Sequence, residues 1–160
     1  MNRDQVLGDR EQLRLRDHGF VTFRLGDQWL GVPVVMIQEV IAGRRISPVP
    51  LSASEVQGFL NLRGQIVTAV DLRAVLGLPP REEGDPFMNV VVKDGDELFS
   101  LVVDEVGDVV EVGDSGVEPT PKTLDAVWKR CCQGVIRMER GLLVVLDVGV
   151  VLGSEMAGAA

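Results

Sequence analysis

The sequence predicts an all-β protein with only a few short helices, and three observations predict it. Apolar and polar residues alternate over short runs, turn residues such as Gly and Asp punctuate those runs, and one pattern of runs and turns occurs twice in 160 residues. Short strands of this kind belong to a barrel or a sandwich, because each sheet must bury one of its faces.

In chain order, residues 1–17 are studded with Arg, Asp and Glu and lack the apolar stretch of a signal peptide. They read as a flexible N-terminal arm or short helix of a cytoplasmic protein. In Phe20-Val21-Thr22-Phe23-Arg24-Leu25 the apolar Val21, Phe23 and Leu25 share one face, as in a half-buried strand, and Gly26-Asp27 turns the chain into the next strand. The run 34–40 suits helix or strand equally, and a short helix is expected over 54–58. Asp71 is placed to cap a helix through Leu72-Arg73-Ala74-Val75-Leu76 that Gly77 and Pro79-Pro80 close; Asp147 and Gly153 repeat the device. Residues 79–86, with three prolines, read as a linker. Beyond it, strands are expected over 88–92 and 98–103, then over 135–138 and 142–146 around a turn at Glu139-Arg140-Gly141, with a tail over 154–160.

The repeat is a sequence of matching blocks. Residues 26–34 (Gly-Asp-Gln-Trp-Leu-Gly-Val-Pro-Val) are echoed 69 positions on by residues 95–103 (Gly-Asp-Glu-Leu-Phe-Ser-Leu-Val-Val), and Ile37-Gln38-Glu39-Val40-Ile41 falls on Val106-Gly107-Asp108-Val109-Val110. Pro48-Val49-Pro50 is echoed by Pro119-Thr120-Pro121. Gly58, Val70-Asp71-Leu72 and Val75-Leu76-Gly77 match Gly134, Leu146-Asp147-Val148 and Val151-Leu152-Gly153 at an offset of 76. Each copy of roughly 60 residues is too short to bury a sufficient core alone. The expectation is one cooperative domain over 18–153, with a first β module at about 18–78 packed on a second at about 87–153.

Composition narrows the function. The net charge is −8, and residues 86–118 alone hold nine acids against one base, Lys93, while residues 18–77 carry five arginines and four acids. Phosphate binding requires basic patches, so nucleic acid is not expected as a partner. The asymmetry fits two different protein-facing surfaces, and equally an acidic face that aids solubility. No apolar run is long enough to span a bilayer. The only cysteines, Cys131-Cys132, are adjacent, without the CxxC spacing of metal or redox sites, and read as small buried residues.

No catalytic apparatus, cofactor motif or metal set is expected. The single histidine, His18, sits at the edge of the N-terminal arm; tyrosine is absent, and no GxGxxG, GxxxxGK[ST] or HExxH occurs. The carboxylate pairs Asp104-Glu105 and Glu82-Glu83 read as a solvated face or linker. One motif stands apart. Asn61-Leu62-Arg63-Gly64 lies between apolar runs, where Asn and Gly suit a tight turn that holds Arg63 outward, and the second copy has Arg137, Met138, Glu139 and Arg140 instead. An outward arginine with apolar neighbours is either an interface anchor or an ordinary turn residue.

These residues resemble the CheW-like domain, the coupling module of bacterial chemotaxis. The resemblance runs from Phe20 to Leu152 and is carried by Phe23-Arg24-Leu25-Gly26, Gly31-Val32-Pro33-Val34, Ile37-Gln38-Glu39-Val40-Ile41, Gly58-Phe59-Leu60-Asn61-Leu62-Arg63-Gly64, Ile66-Val67, Val70-Asp71-Leu72-Arg73 and Val103-Asp104-Glu105-Val106. It implies two packed five-stranded SH3-like β-barrels with a hydrophobic seam between them. It also implies a cytoplasmic, non-catalytic adaptor that is recruited to receptor arrays. Such an adaptor binds the cytoplasmic tip of chemoreceptors on one surface and the regulatory domain of a CheA-type histidine kinase on another. Carried over by motif, Arg63, Asn61, Gly64, Gly58, Ile37 and Glu39 belong to the receptor side, whereas no residue is assigned to the kinase side. A coupling protein of another pathway, such as surface motility, or a small β-barrel ligand-binding protein would share the fold.

Overall fold

The computed structural model describes residues 19–43, 46, 56–112, 116–139 and 141–159. The expected N-terminal arm, His18, the start of the expected helix over 54–58, and Arg140 lie outside the described residues. Eleven strands and three short helices are present among the rest. They are β1 (Gly19–Leu25), β2 (Gln28–Pro33), β3 (Ile37–Ala42), β4 (Val56–Leu62), β5 (Gln65–Asp71), α1 (Leu72–Val75), β6 (Met88–Asp94), β7 (Glu97–Val103), β8 (Glu105–Glu111), β9 (Val117–Glu118), α2 (Ala126–Cys131), β10 (Cys132–Met138), β11 (Gly141–Leu146) and α3 (Val148–Ala159).

The strands form two sheets, ordered β8-β1-β2-β11-β10-β9 and β3-β6-β7-β5-β4. By the sequence repeat, hairpin β1–β2 corresponds to β6–β7, β3 to β8, and β4–β5 to β10–β11. With those equivalences the two sheets have one and the same order, β9 being an additional two-residue edge strand. The irregularities match as well. Register slips between Val56 and Gly58 in β4 and between Cys132 and Gly134 in β10, positions 76 apart. Both sheets join two halves through a parallel pair, β5 with β7 and β11 with β2.

The sheets are not, however, the contiguous modules expected at 18–78 and 87–153. Each takes its first hairpin from one copy and the remaining strands from the other: β3 leaves β1–β2 to pair with β6, and β8 returns to pair with β1. Alternation marks strands and faces but is silent on partners, because any strand with the right buried face can complete the ladder.

Three apolar clusters explain the layering. The largest lies between the sheets, with Phe23, Leu25, Leu30 and Val32 from one side and Val90, Val92, Leu101 and Val103 from the other, all 4% exposed or less. Leu60, Leu62, Val67, Ala69, Val91 and Val102 fill the second sheet, and Ile136, Leu143 and Val145 fill the first. Val90, Val91 and Val92 are therefore buried on both faces of β6, which is why that strand is an unbroken apolar run rather than an alternating one.

Several local expectations are corrected. The ambiguous run at 34–40 divides into a 3-10 turn, Val34–Met36, and β3. Gly58 belongs to β4 and not to a helix, since its φ of 152° serves the bulge there. Asp71 caps α1 by accepting from the Arg73 N–H at 3.0 Å, and Gly77 ends it at φ 72°. Gly153 does not repeat that stop: α3 runs on to Ala159, because a glycine ends a helix only where it takes the left-handed conformation, and Gly153 does not. The helix α2, capped by Asp125, has no counterpart in the expectations, its six residues being too few for a periodic signal. Cys131 ends α2 and Cys132 opens β10; both are buried, free thiols, and burial pushes the Cys131 thiol up from its ordinary pKa.

Candidate functional site

The β4–β5 hairpin pairs Asn61 with Ile66 and Leu62 with Gln65, leaving Arg63 and Gly64 as its two turn residues. Both lie at positive φ, 52° and 83°, as a type I′ turn requires, and Arg63 is the only non-glycine residue there among the described residues. The Asn61 Oδ1 accepts from the Gly64 N–H at 2.9 Å and locks the loop. Left-handed backbone disfavours a side chain with a Cβ, so placing arginine at this position costs some stability.

The guanidinium forks onto Glu39. Arg63 Nη1 donates to Oε2 at 2.8 Å and Nη2 to Oε1 at 2.7 Å. Glu39 lies in β3, so this pair links the two edge strands' ends of the second sheet. Along a flat sheet β3 and β4 would stand four steps of about 4.8 Å apart, farther than these side chains span, so the sheet must curl into a barrel. The Arg63 side chain remains 76% exposed while that of Glu39 is 19% exposed. The carboxylate is thus committed inward and the arginine presents a fixed cation to solvent. Beside it the hairpin exposes two apolar side chains, Phe59 and Ile66, the latter by 70%.

Of the residues expected at this surface, the structure brings Arg63, Asn61, Gly64 and Glu39 together. Gly58 is buried upstream at the β4 bulge. Ile37 is half-buried and packs on the cluster between the sheets, because β3 turns it inward one step after the 3-10 turn. At the equivalent positions of the first sheet stand Asp108 and Glu139, two acids that cannot form such a pair.

A second constellation centres on Asp104, which the sequence alone assigns to a solvated face. Asp104 lies where the chain crosses from β7 to β8, and its side chain is only 11% exposed. Arg73 Nε donates to its Oδ1 at 3.0 Å and Arg73 Nη2 to Oδ2, while the Gly26 N–H donates to Oδ2 at 2.8 Å. Arg24, from β1, holds the Gly26 carbonyl at 2.6 Å and Glu105 at 3.0 Å. Burial drives the Asp104 pKa upward most strongly, but the Arg73 hydrogen bond, the Gly26 N–H and the charges of Arg73 and Arg24 together hold it below the usual carboxylate range. The same pairing raises the Arg73 pKa against its own desolvation. A carboxylate so saturated is a clamp between the sheets and not a catalytic base. The one sequence signal for it is Arg73 in the Asp-Leu-Arg motif, an arginine just inside a capped helix that has no acid after it within reach along the helix.

Among the described residues no group of three or more His, Cys, Asp or Glu could hold a metal ion, and no helix is long and apolar enough to cross a membrane. What the arrangement can do is present a rigid cation on an apolar background, a surface suited to another protein.

Comparison with known proteins gives a consistent picture. The family profile of the CheW-like domain matches residues 19–156. A chemotaxis protein CheW of Treponema pallidum is 26% identical over 152 residues, covering 91% of this chain and 89% of that protein. One from Rhizobium meliloti is 29% identical, covering 88% and 90%. Among solved structures, the scaffolding protein TtCheW from Thermoanaerobacter tengcongensis has the same fold, with a TM-score of 0.73 at 23% identity, covering 81% of this chain and 88% of that one.

Proposed function

Since the chain belongs to the CheW-like family, we propose that it works by holding chemoreceptors and a CheA-type histidine kinase together in the cytoplasm, with the Arg63 hairpin as its receptor-facing surface. The family is one of non-catalytic scaffolds in chemotaxis signalling, and the chain is accordingly an adaptor and not an enzyme. An adaptor of this kind acts by tethering: two partners held on one body meet at a raised effective concentration, without chemistry of its own.

The observation that carries the receptor assignment is the committed geometry of Arg63. Its turn is locked by Asn61, its fork is fixed by Glu39, and its exposed face is flanked by Phe59 and Ile66. A preorganised guanidinium loses little further freedom on binding, and charged anchors with apolar neighbours account for much of the affinity at protein interfaces. Gly58 supports the surface indirectly through the β4 bulge, and Ile37 through the packing of β3.

The test is titration of the chain with a chemoreceptor cytoplasmic tip from the same organism. Arg63→Glu should keep its circular dichroism spectrum and weaken receptor binding by about 2 kcal/mol or more, close to 30-fold. Unchanged affinity would remove Arg63 from the interface.

A further inference from the structure

Two arrangements of the repeat would pair its strands equally well. In the one observed, hairpin β1–β2 joins β8 and β10–β11, and hairpin β6–β7 joins β3 and β4–β5. In the rival arrangement each hairpin would keep the strands of its own copy, giving two contiguous modules. The ladders cannot distinguish the two, because the hairpins offer equivalent pairing positions. Val21 pairs with Val109 where Val90 pairs with Val40, and Leu30 pairs with Val144 where Phe99 pairs with Thr68. Nor can the bulges, since β3 and β8 each carry one extra residue at the same point, between Ile37 and Glu39 and between Val106 and Val109.

The hairpins differ in side-chain size where they meet those neighbours. Trp29 stands over Gly107 of β8, in the wall of the cleft at that barrel mouth. A Cβ on Gly107 would come within 2.7 Å of the Trp29 ring and 2.8 Å of the Thr22 hydroxyl, which is held by donating to the Asp108 carbonyl at 2.6 Å. The equivalent pair on the second sheet is Leu98 and Gln38, a smaller side chain beside a residue that has a Cβ. Gly31 lies against Leu143 of β11, which a Cβ there would meet at 3.2 Å, with Phe20 at 3.5 Å. The counterparts are Ser100, the smaller Val67 and Asn89; Asn89 Nδ2 donates to the Ser100 hydroxyl at 2.9 Å, and both residues are fully buried.

We propose that these two size matches decide which hairpin enters which sheet and so select the exchange of strands. Hairpin β1–β2 placed on the first copy's strands would press Trp29 against Gln38 and leave space between Gly31 and Val67. Hairpin β6–β7 placed on the second copy's strands would leave space between Leu98 and Gly107 and press Ser100 against Leu143. The rival arrangement is thus overpacked at two contacts and underpacked at two others, and both faults destabilise a close-packed interior. The sequence specifies against its alternative by steric mismatch, as natural folds do where one pattern suits two pairings. The exchange leaves neither sheet complete without the other half of the chain, since β2 leads to β3 and β7 to β8 across the seam. None of this depends on the receptor or kinase assignment.

The experiment uses the full chain without a partner. Trp29→Leu/Leu98→Trp transfers the large side chain to the other hairpin and should lower Tm by about 5 °C or more. Adding Gln38→Gly/Gly107→Gln should recover most of that loss. Backbone NOEs among four valines read the arrangement directly: the exchanged form gives Val21–Val109 and Val40–Val90, the contiguous form Val21–Val40 and Val90–Val109. Exchanging the whole set, by Phe20→Asn, Trp29→Leu, Gly31→Ser, Asn89→Phe, Leu98→Trp and Ser100→Gly, should replace the first pair of NOEs by the second. An unchanged Tm on transfer of the tryptophan, or a loss that Gln38→Gly/Gly107→Gln fails to relieve, overturns the proposal. So does a fully exchanged set that keeps the Val21–Val109 and Val40–Val90 NOEs.

Discussion

Replacing Asp104 by asparagine removes one charge from the junction of the two sheets while preserving size. The wild-type carboxylate accepts three hydrogen bonds, two from Arg73 and one from Gly26, at a site where its side chain is 11% exposed. An asparagine offers a single acceptor oxygen and turns an NH₂ group toward donors it cannot satisfy. Charge-assisted hydrogen bonds contribute about 1.5–3 kcal/mol each, and a partly buried arginine left without its partner adds a penalty, although Arg73 keeps its bond to the Pro79 carbonyl. The expected loss is about 2–3 kcal/mol at neutral pH, which for a domain of this size lowers Tm by roughly 5–10 °C. The pH dependence is equally specific. Because the folded pKa lies below the unfolded value of 3.8, Asp104 stabilises the fold fully above that value, and the contribution is lost as pH falls through the lower folded pKa. Urea unfolding of both proteins from pH 7 to pH 2.5 should therefore show a wild-type advantage that shrinks only below about pH 4. An advantage under about 0.5 kcal/mol at pH 7 by that measurement, or one that persists undiminished at pH 2.5, would refute the clamp.

Two glycines of the repeat should respond oppositely to alanine. A Cβ at Gly134 would meet the Glu118 backbone carbonyl at 2.6 Å, so Gly134→Ala should destabilise the fold by about 1–3 kcal/mol and loosen β9, visible as faster amide exchange at Val117 and Glu118. Gly153 lies inside α3 with nothing within 4 Å of its would-be Cβ, so Gly153→Ala should stabilise by about 0.5–1 kcal/mol in denaturant titration. Cys131 is 1% exposed and its thiol is held above its ordinary pKa by burial, so a thiol reagent at pH 7.5 should label it only as fast as the protein unfolds. Rapid labelling of the native protein would show that α2 opens locally.

The geometry of the Arg63 surface is largely legible in the sequence, because hairpin turns are encoded locally. A two-residue loop with glycine at its second position and an asparagine two residues before it leaves few backbone choices, and the apolar residues around it dictate which strand faces turn inward. The partner of Arg63 is not legible in that way. Glu39 lies 24 residues away, and the pair exists only because the sheet curls until β3 meets the β4–β5 turn. Ile37 shows the same limit from the other side, since membership in a surface motif does not reveal that β3 turns it inward.

By itself the sequence determined the hairpin strands around Gly26, Gly95 and Gly141, the turns between them, the caps at Asp71 and Asp147, and the doubling of one pattern, since each depends on residues near one another in the chain, whereas β3, β4 and β8 were not legible in that way. Only the tertiary structure decided that the copies exchange strands, that Asp104 is a half-buried clamp and not a solvated acid, and that one barrel mouth is bridged by opposite charges while, among the described residues, a cleft lies between Asp108 and Glu139 at the other. The reason is physical: strand formation needs only local alternation, whereas the choice of ladder partner and the environment of a charge are set by which apolar faces can be buried together, a property of the whole chain.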